Sequence, residues 1–187
     1  MITLAIIGAG PLGRWLALAS ARAGFRVLLE DVMPSNLHHA QEYIRQQLSP
    51  SGLGPDQSAV AFVLTIEEAV READLVIDCV PDELESKLEI LWLMDRMAPP
   101  KTVIATPTTR LSIVDLAACT YRPEKCIGIF AEARGLAEGP ASRILLRTTA
   151  RTSPETVALV ENFWQQLGFD PEFELESEPS VTAQSEG

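Results

Sequence analysis

The chain has 187 residues, a formal net charge of −11, and 47% hydrophobic and 22% charged residues. This length suits one folded domain with an ordinary core, and an acidic chain without a basic stripe disfavours nucleic acid and anionic membranes as partners. The three cysteines, Cys79, Cys119 and Cys126, lack metal-ligand spacing, so we predict reduced thiols, no metal site and a cytoplasmic protein.

Strand and helix patterns alternate along the chain. The first apolar run, residues 2–7, is too short to cross a membrane and lacks the features of a signal peptide. In chain order the patterns predict a strand at 2–7, a helix at 11–23, a strand at 25–30, a helix at 36–48, a strand at 61–65, a helix at 66–71, a strand at 74–80, a helix at 83–97, a strand at 102–106, a helix at 112–119, strands at 126–131 and 143–148, a helix at 153–167 and an edge strand at 172–176.

This alternation predicts an α/β fold: a doubly wound, Rossmann-type, mostly parallel sheet with helices on both faces. We expect a single dinucleotide-binding domain over residues 1–176 and a flexible acidic tail over 177–187. Six carboxylates and no lysine or arginine lie from Asp170 onward.

A glycine motif, Gly8-Ala-Gly10-Pro-Leu-Gly13, follows the first strand and opens the first helix. In this context a G-x-G-x-x-G motif is typical of pyrophosphate binding, because glycines allow a tight turn and close approach of the backbone. The amides at the helix start, including that of Leu12, would face the phosphates. Pro11 supplies no N–H, which removes one donor.

Asp31 follows the second strand, 18 residues after Gly13. A carboxylate about 20 residues beyond the motif binds the ribose hydroxyls in NAD-binding domains. Val32 and Met33 come next, so no arginine there would receive a 2′-phosphate, and the sequence favours NAD over NADP. Glu30 could share this role, but strand alternation predicts that it points the other way.

Five segments in order, IIGAGPLGR, LLED, EAVREADLVIDCVPDELESK, IATPTTRLSI and RPEKCIGI, resemble the NAD-binding domain of the 3-hydroxyacyl-CoA dehydrogenases. The resemblance covers residues 1 to about 175 and is strongest over 4–31 and 67–129. It implies an NAD-dependent oxidoreductase that acts on the CH–OH group of an acyl-CoA, with a role in fatty acid metabolism.

The resemblance further implies that Cys79, Val80, Pro81 and Asp82 lie along the cofactor, with Lys87 one turn into the next helix. From the residues alone, Asp82 is equally an acid at a helix start and Lys87 equally a solvated lysine.

Catalytic residues in this family include a histidine general base, held by a glutamate, beside an Asn-Thr-Ser-Ser run. A histidine suits the proton transfer because its pKa lies near neutrality. Here the run corresponds to residues 107–110, so Thr109 keeps a hydroxyl, while Phe130 stands at the general-base position and Ser142 at the glutamate position. The two histidines, His38 and His39, lie on an early helix and are expected to be exposed.

Three hypotheses follow. The first is an NAD(H)-binding protein without the usual catalytic pair, acting as a sensor or as a subunit completed by another chain, because the family's helical second domain and its Pro-Gly-Phe lead-in are not found. The second is an active short dehydrogenase in which Thr109 and a substitute acid or base take part; the substitutes are Glu132, Glu138 and Arg134, with Glu132 the best placed. The third is a structural, partner-binding Rossmann domain.

The helix at 83–97 offers a surface for a homo-oligomer or a partner chain. Its apolar residues Leu91, Trp92, Leu93 and Met94 are either contact residues or ordinary core.

Overall fold

A computed structural model describes residues 2–48, 59–130 and 143–177. Within them, eight strands form one sheet in the order β3-β2-β1-β4-β5-β6-β7-β8. All neighbouring strands are parallel except β6 and β7, which are antiparallel. The strands are β1 Thr3–Ile7, β2 Arg26–Glu30, β3 Val60–Val63, β4 Leu75–Asp78, β5 Val103–Pro107, β6 Cys126–Phe130, β7 Arg143–Thr148 and β8 Asp170–Leu175.

Helices cover both faces of this sheet, because the strands alternate apolar side chains between two cores. Leu4 and Ile6 of β1 point into the core beneath α1, α2 and α6, whereas Ala5 and Ile7 point into the core beneath α3, α4 and α5. The helices are α1 Pro11–Arg22, α2 Pro34–Leu48, α3 Ile66–Val70, α4 Leu84–Met97, α5 Ile113–Ala118 and α6 Pro154–Gln166. Each fully buried leucine or isoleucine contributes about 1.5–3 kcal/mol to folding.

The predicted doubly wound fold is confirmed, with small corrections at element ends. Helix α2 begins at Pro34 rather than at residue 36, because proline suits the first helical position and the Met33 carbonyl accepts the Asn36 N–H. Strand β3 ends at Val63, since Thr65 caps α3 by accepting the Glu68 N–H. The predicted acidic tail lies outside the described residues from residue 178 onward.

The sequence left open whether the apolar residues of helix α4 form part of the core or contact a partner chain, and the structure places two of them in the core. Leu91 and Met94 are buried, so they belong to the core and not to a contact surface. Trp92 is exposed and lies beneath the Arg96 guanidinium, 4.7 Å from the ring centre. No helix among the described residues is both long and apolar enough to span a membrane.

Candidate functional site

The carboxyl ends of β1, β2 and β4 are in register, which places Ile7, Glu30 and Asp78 side by side. A cleft of about 580 Å³ opens where these strands end. Seven of the predicted cofactor residues line it: Gly8, Gly10, Pro11, Asp31, Cys79, Val80 and Pro81. The open sheet therefore has its cleft at the carboxyl edge of the strands, where doubly wound folds bind ligands.

The glycine loop depends on two of its glycines for its shape. Gly8 has a φ of 105°, a conformation that L side chains rarely adopt. A Cβ on Gly13 would collide with the Gly8 carbonyl oxygen, so α1 could not lie this close to β1. A Cβ on Gly10 would instead meet no atom within 4 Å, because Gly10 borders the open cleft.

Helix α1 begins at this loop. Gly10 is its N-cap and makes no side-chain cap, and Pro11 is exposed. The Arg14 N–H donates to the Gly10 carbonyl at 3.0 Å, which begins the helical hydrogen bonding. Leu12 is half-buried against the core and Gly13 is buried, but both keep backbone N–H groups at the positive end of the helix.

Asp31 is buried at the loop, with 8% of its surface exposed. Its Oδ2 accepts the Ala9 N–H at 2.9 Å and its Oδ1 accepts the Met33 N–H at 2.8 Å. The Asn36 amide donates to both oxygens, at 3.1 and 3.2 Å. These bonds fix the carboxylate at the cleft wall. An aspartate that only formed a turn would not need contacts with the glycine loop and with α2.

Glu30 lines the cleft and also a groove between α3 and α4, and it has the strand parity of Leu28, which packs on that face of the sheet. Only 5% of its surface is exposed. Burial, and then the neighbouring charge of Asp31, raise the pKa of Glu30 to about 7. In the sequence, the position of Glu30 next to Asp31 at the end of a predicted strand indicated that it could contribute to the cofactor site.

Asp82 links the ends of β4 and β5. Its Oδ2 accepts the Thr109 N–H at 2.9 Å and the Thr109 hydroxyl at 3.3 Å. Burial works to raise the pKa of Asp82, but hydrogen bonds from Thr108 and Thr109 outweigh it and leave the pKa below its usual value. Asp82 and Thr109, which the sequence analysis predicted as separate site residues, are thus in direct contact.

Lys87 is fully buried on α4, so the interpretation as a solvated lysine is wrong. Its ammonium group pairs with Asp78, which is also fully buried at the end of β4. Burial raises the pKa of Asp78 to about 6, even though the charge of Lys87 works to lower it. Cys79, next to Asp78, lines the cleft, and burial raises the pKa of its thiol, which keeps it protonated.

Phe130 ends β6 and is 38% exposed. The Arg147 guanidinium of β7 lies 4.4 Å from the centre of its ring, and the same arginine bonds to Glu174 at 2.9 Å. His38 and His39 lie on α2 and are exposed, as expected. The substitute residues Glu132, Arg134 and Glu138, and Ser142, lie outside the described residues.

The described residues contain no cluster of three or more histidines, cysteines or carboxylates that could hold a metal ion. The three cysteines are free: Cys126 is buried, Cys79 half-buried and Cys119 exposed.

A family model described as "3-hydroxyacyl-CoA dehydrogenase, NAD binding domain" matches residues 3–171. The chain is 31% identical over 133 residues to a probable 3-hydroxybutyryl-CoA dehydrogenase of Bacillus subtilis, covering 66% of this chain and 46% of that protein. It is 34% identical over 178 residues to an L-carnitine dehydrogenase of Burkholderia mallei, covering 90% and 53%. The chain thus spans about half the length of these curated relatives.

Solved structures agree on the fold. (S)-3-Hydroxybutyryl-CoA dehydrogenase from Ralstonia eutropha superposes with a TM-score of 0.83 at 24% identity, over 94% of this chain and 64% of that one. A 5-formyl-3-hydroxy-2-methylpyridine 4-carboxylic acid 5-dehydrogenase, described as an NAD⁺-dependent dismutase, gives 0.78 at 27% identity, over 94% and 58%. The glycine loop and the fixed Asp31 fit the same cofactor, NAD. The chain therefore belongs to the 3-hydroxyacyl-CoA dehydrogenase family, as its NAD-binding domain.

Proposed function

We propose that this domain binds NAD(H) in the cleft and does not carry out the proton transfer that a histidine performs in the family. One observation carries the proposal: the complete glycine loop with Asp31 shares its sheet edge with Phe130, whose ring is covered by Arg147.

The cofactor is held from three sides. The amides of Leu12 and Gly13 at the start of α1 receive the pyrophosphate, and Gly10 leaves room for it. Asp31 accepts hydrogen bonds from the ribose hydroxyls, and its charge repels the 2′-phosphate of NADP. Val80 and Pro81, which line the cleft, and the Asp82–Thr109 pair beside them would border the nicotinamide end. When bound, NAD accepts or delivers a hydride.

Proton transfer lacks its usual residue. A phenylalanine has no group that accepts a proton, and the Arg147 guanidinium over its ring offers hydrogen-bond donors and no acceptor. Since the two histidines lie exposed on α2, we infer that the domain senses NAD(H), or forms part of a site that another chain completes.

The second candidate function is an active dehydrogenase that uses Thr109 and Glu132. The contact between Asp82 and the Thr109 hydroxyl favours it, because a fixed hydroxyl can position a substrate oxygen. An acyl-CoA is the substrate class to test, since several relatives are named for CoA substrates.

Calorimetric titration of the intact chain with NADH, followed by an assay with acetoacetyl-CoA on the same preparation, tests both. We expect NADH to bind, NADPH to bind much more weakly, and NADH not to be consumed. Turnover in the usual enzymatic range of about 1–1000 per second would favour the second candidate. Failure of NADH to bind would contradict both and leave the third hypothesis, a structural Rossmann domain.

A further inference from the structure

Glu30 is a buried residue whose carboxyl group has no hydrogen-bond or ion-pair partner among the described residues. It is 5% exposed and borders both the cofactor cleft and a second groove of about 510 Å³ between α3 and α4. Within the described part of the chain, neither carboxyl oxygen of Glu30 takes part in a hydrogen bond or ion pair. A buried carboxyl in this state is stabilised by a proton or by a ligand that bonds to it.

In the part of the chain that the structure describes, the charged residues that line the cleft or the groove with Glu30 are acidic. Asp31 follows it in the chain, Glu67 of α3 and Glu89 of α4 line the groove, and Arg71 is directed to Glu67 at 3.8 Å. No lysine, arginine or histidine is among the described residues that line the cleft or the groove. Burial and the charge of Asp31 together raise the pKa of Glu30 to about 7, so both protonation states are accessible near neutrality.

A dinucleotide bound in the cleft would bring its base close to Glu30. With the pyrophosphate at the glycine loop and the ribose at Asp31, the base comes next along the cleft. There the walls are apolar, formed by Val32, Ile66 and Ile90, and Glu30 is the one titratable residue of the described chain that, like them, lines both the cleft and the groove. Adenine presents an amino group that donates next to a ring nitrogen that accepts. A protonated carboxyl offers the matching acceptor and donor.

We propose that Glu30 binds the adenine of NAD in its protonated form, so that cofactor binding takes up a proton. The inference rests on the proposed function. The two negative charges of the pyrophosphate add to that of Asp31, and both favour the neutral form of Glu30 further. Affinity for NAD is then greater at about pH 6 than at about pH 8, by roughly tenfold for a single group that titrates near neutrality.

Calorimetric titration with NAD⁺ at about pH 7.5, in two buffers of different ionisation enthalpy, measures the protons taken up. We expect roughly half a proton or more per cofactor bound. Glu30→Gln keeps a donor and an acceptor but cannot titrate, so it should bind NAD⁺ without proton uptake and with the same affinity at about pH 6 and pH 8. The matched control is Glu89→Gln, an exposed carboxylate of the same groove, which should keep the wild-type uptake.

Two outcomes would overturn the inference: NAD⁺ binding by the wild type with no proton uptake, or unchanged uptake in Glu30→Gln. The wild-type measurement alone decides the first, whatever the stability of the variant. Absence of NAD⁺ binding by the wild type at every pH is a different result, because it overturns the proposed function itself.

Discussion

The carboxylate of Asp31 accepts the backbone N–H of Ala9 at 2.9 Å, which ties the end of β2 to the glycine loop across 22 residues of sequence. The acid that we assign to the ribose is therefore also part of the loop that we assign to the pyrophosphate. Its removal should affect both the shape of the loop and the affinity for the cofactor.

Replacing Asp31 should weaken NADH binding. We expect Asp31→Ala to cost about 1–3 kcal/mol of binding free energy, the scale of hydrogen bonds to a charged group. Calorimetric titration measures the change, with Asp170→Ala, an exposed acid on β8, as the control for net charge. Equal affinity in the wild type and Asp31→Ala would remove Asp31 from the site.

The glycines of the loop should separate binding from folding. Gly10→Ala places a methyl group in the open cleft at an allowed φ of −65°, so the fold should keep its stability while NADH binding falls by tenfold or more, as an estimate of about 1.4 kcal/mol. Thermal unfolding and NADH titration of the same sample check this. NADH binding at wild-type strength would show that the pyrophosphate lies elsewhere.

Gly13→Ala should instead destabilise the fold, because its Cβ would overlap the Gly8 carbonyl oxygen and force α1 away from β1. A loss of about 1–3 kcal/mol in unfolding free energy is expected, the range for overpacking. Urea unfolding without cofactor measures it. A variant as stable as the wild type would contradict the close packing of helix on strand.

The buried pair of Asp78 and Lys87 should behave as a unit. Asp78→Asn leaves the Lys87 ammonium buried and unpaired, which should cost about 3–5 kcal/mol of stability. Combining it with Lys87→Met should recover part of that loss. Urea unfolding of the two single variants and the double variant gives the coupling energy, and additive losses would show that the two groups do not interact.

Glu30 should also influence stability without cofactor. Its pKa is about 7 when folded and about 4.3 when unfolded, so the folded state binds more protons between these values. The free energy of unfolding should therefore fall as the pH rises through this window. Glu30→Gln should escape that fall, gaining about 1 kcal/mol or more on the wild type by pH 8. Parallel pH profiles would show that Glu30 titrates normally.

Local patterns in the sequence were enough to predict the fold and most of the cleft. Buried parallel strands appear as continuous apolar runs, and the interval from Gly13 to Asp31 reports a strand-helix-strand unit. The Lys87–Asp78 pair could not be predicted, since a lysine on an amphipathic helix has no local signal of burial. The stacking of Arg147 on Phe130 depends on the antiparallel pairing of β6 with β7, which periodicity does not reveal.

Strand β8 is an edge strand of the described sheet, and its sequence disfavours pairing with a further strand. It carries Asp170, Glu172 and Glu174, and Pro171 has no N–H to share with a further strand. A second copy that paired with β8 edge to edge would bring the carboxylates of the two strands together, and Pro171 could not donate a backbone hydrogen bond to it. Copies of this domain that associate in solution should therefore meet through helices rather than extend the sheet beyond β8.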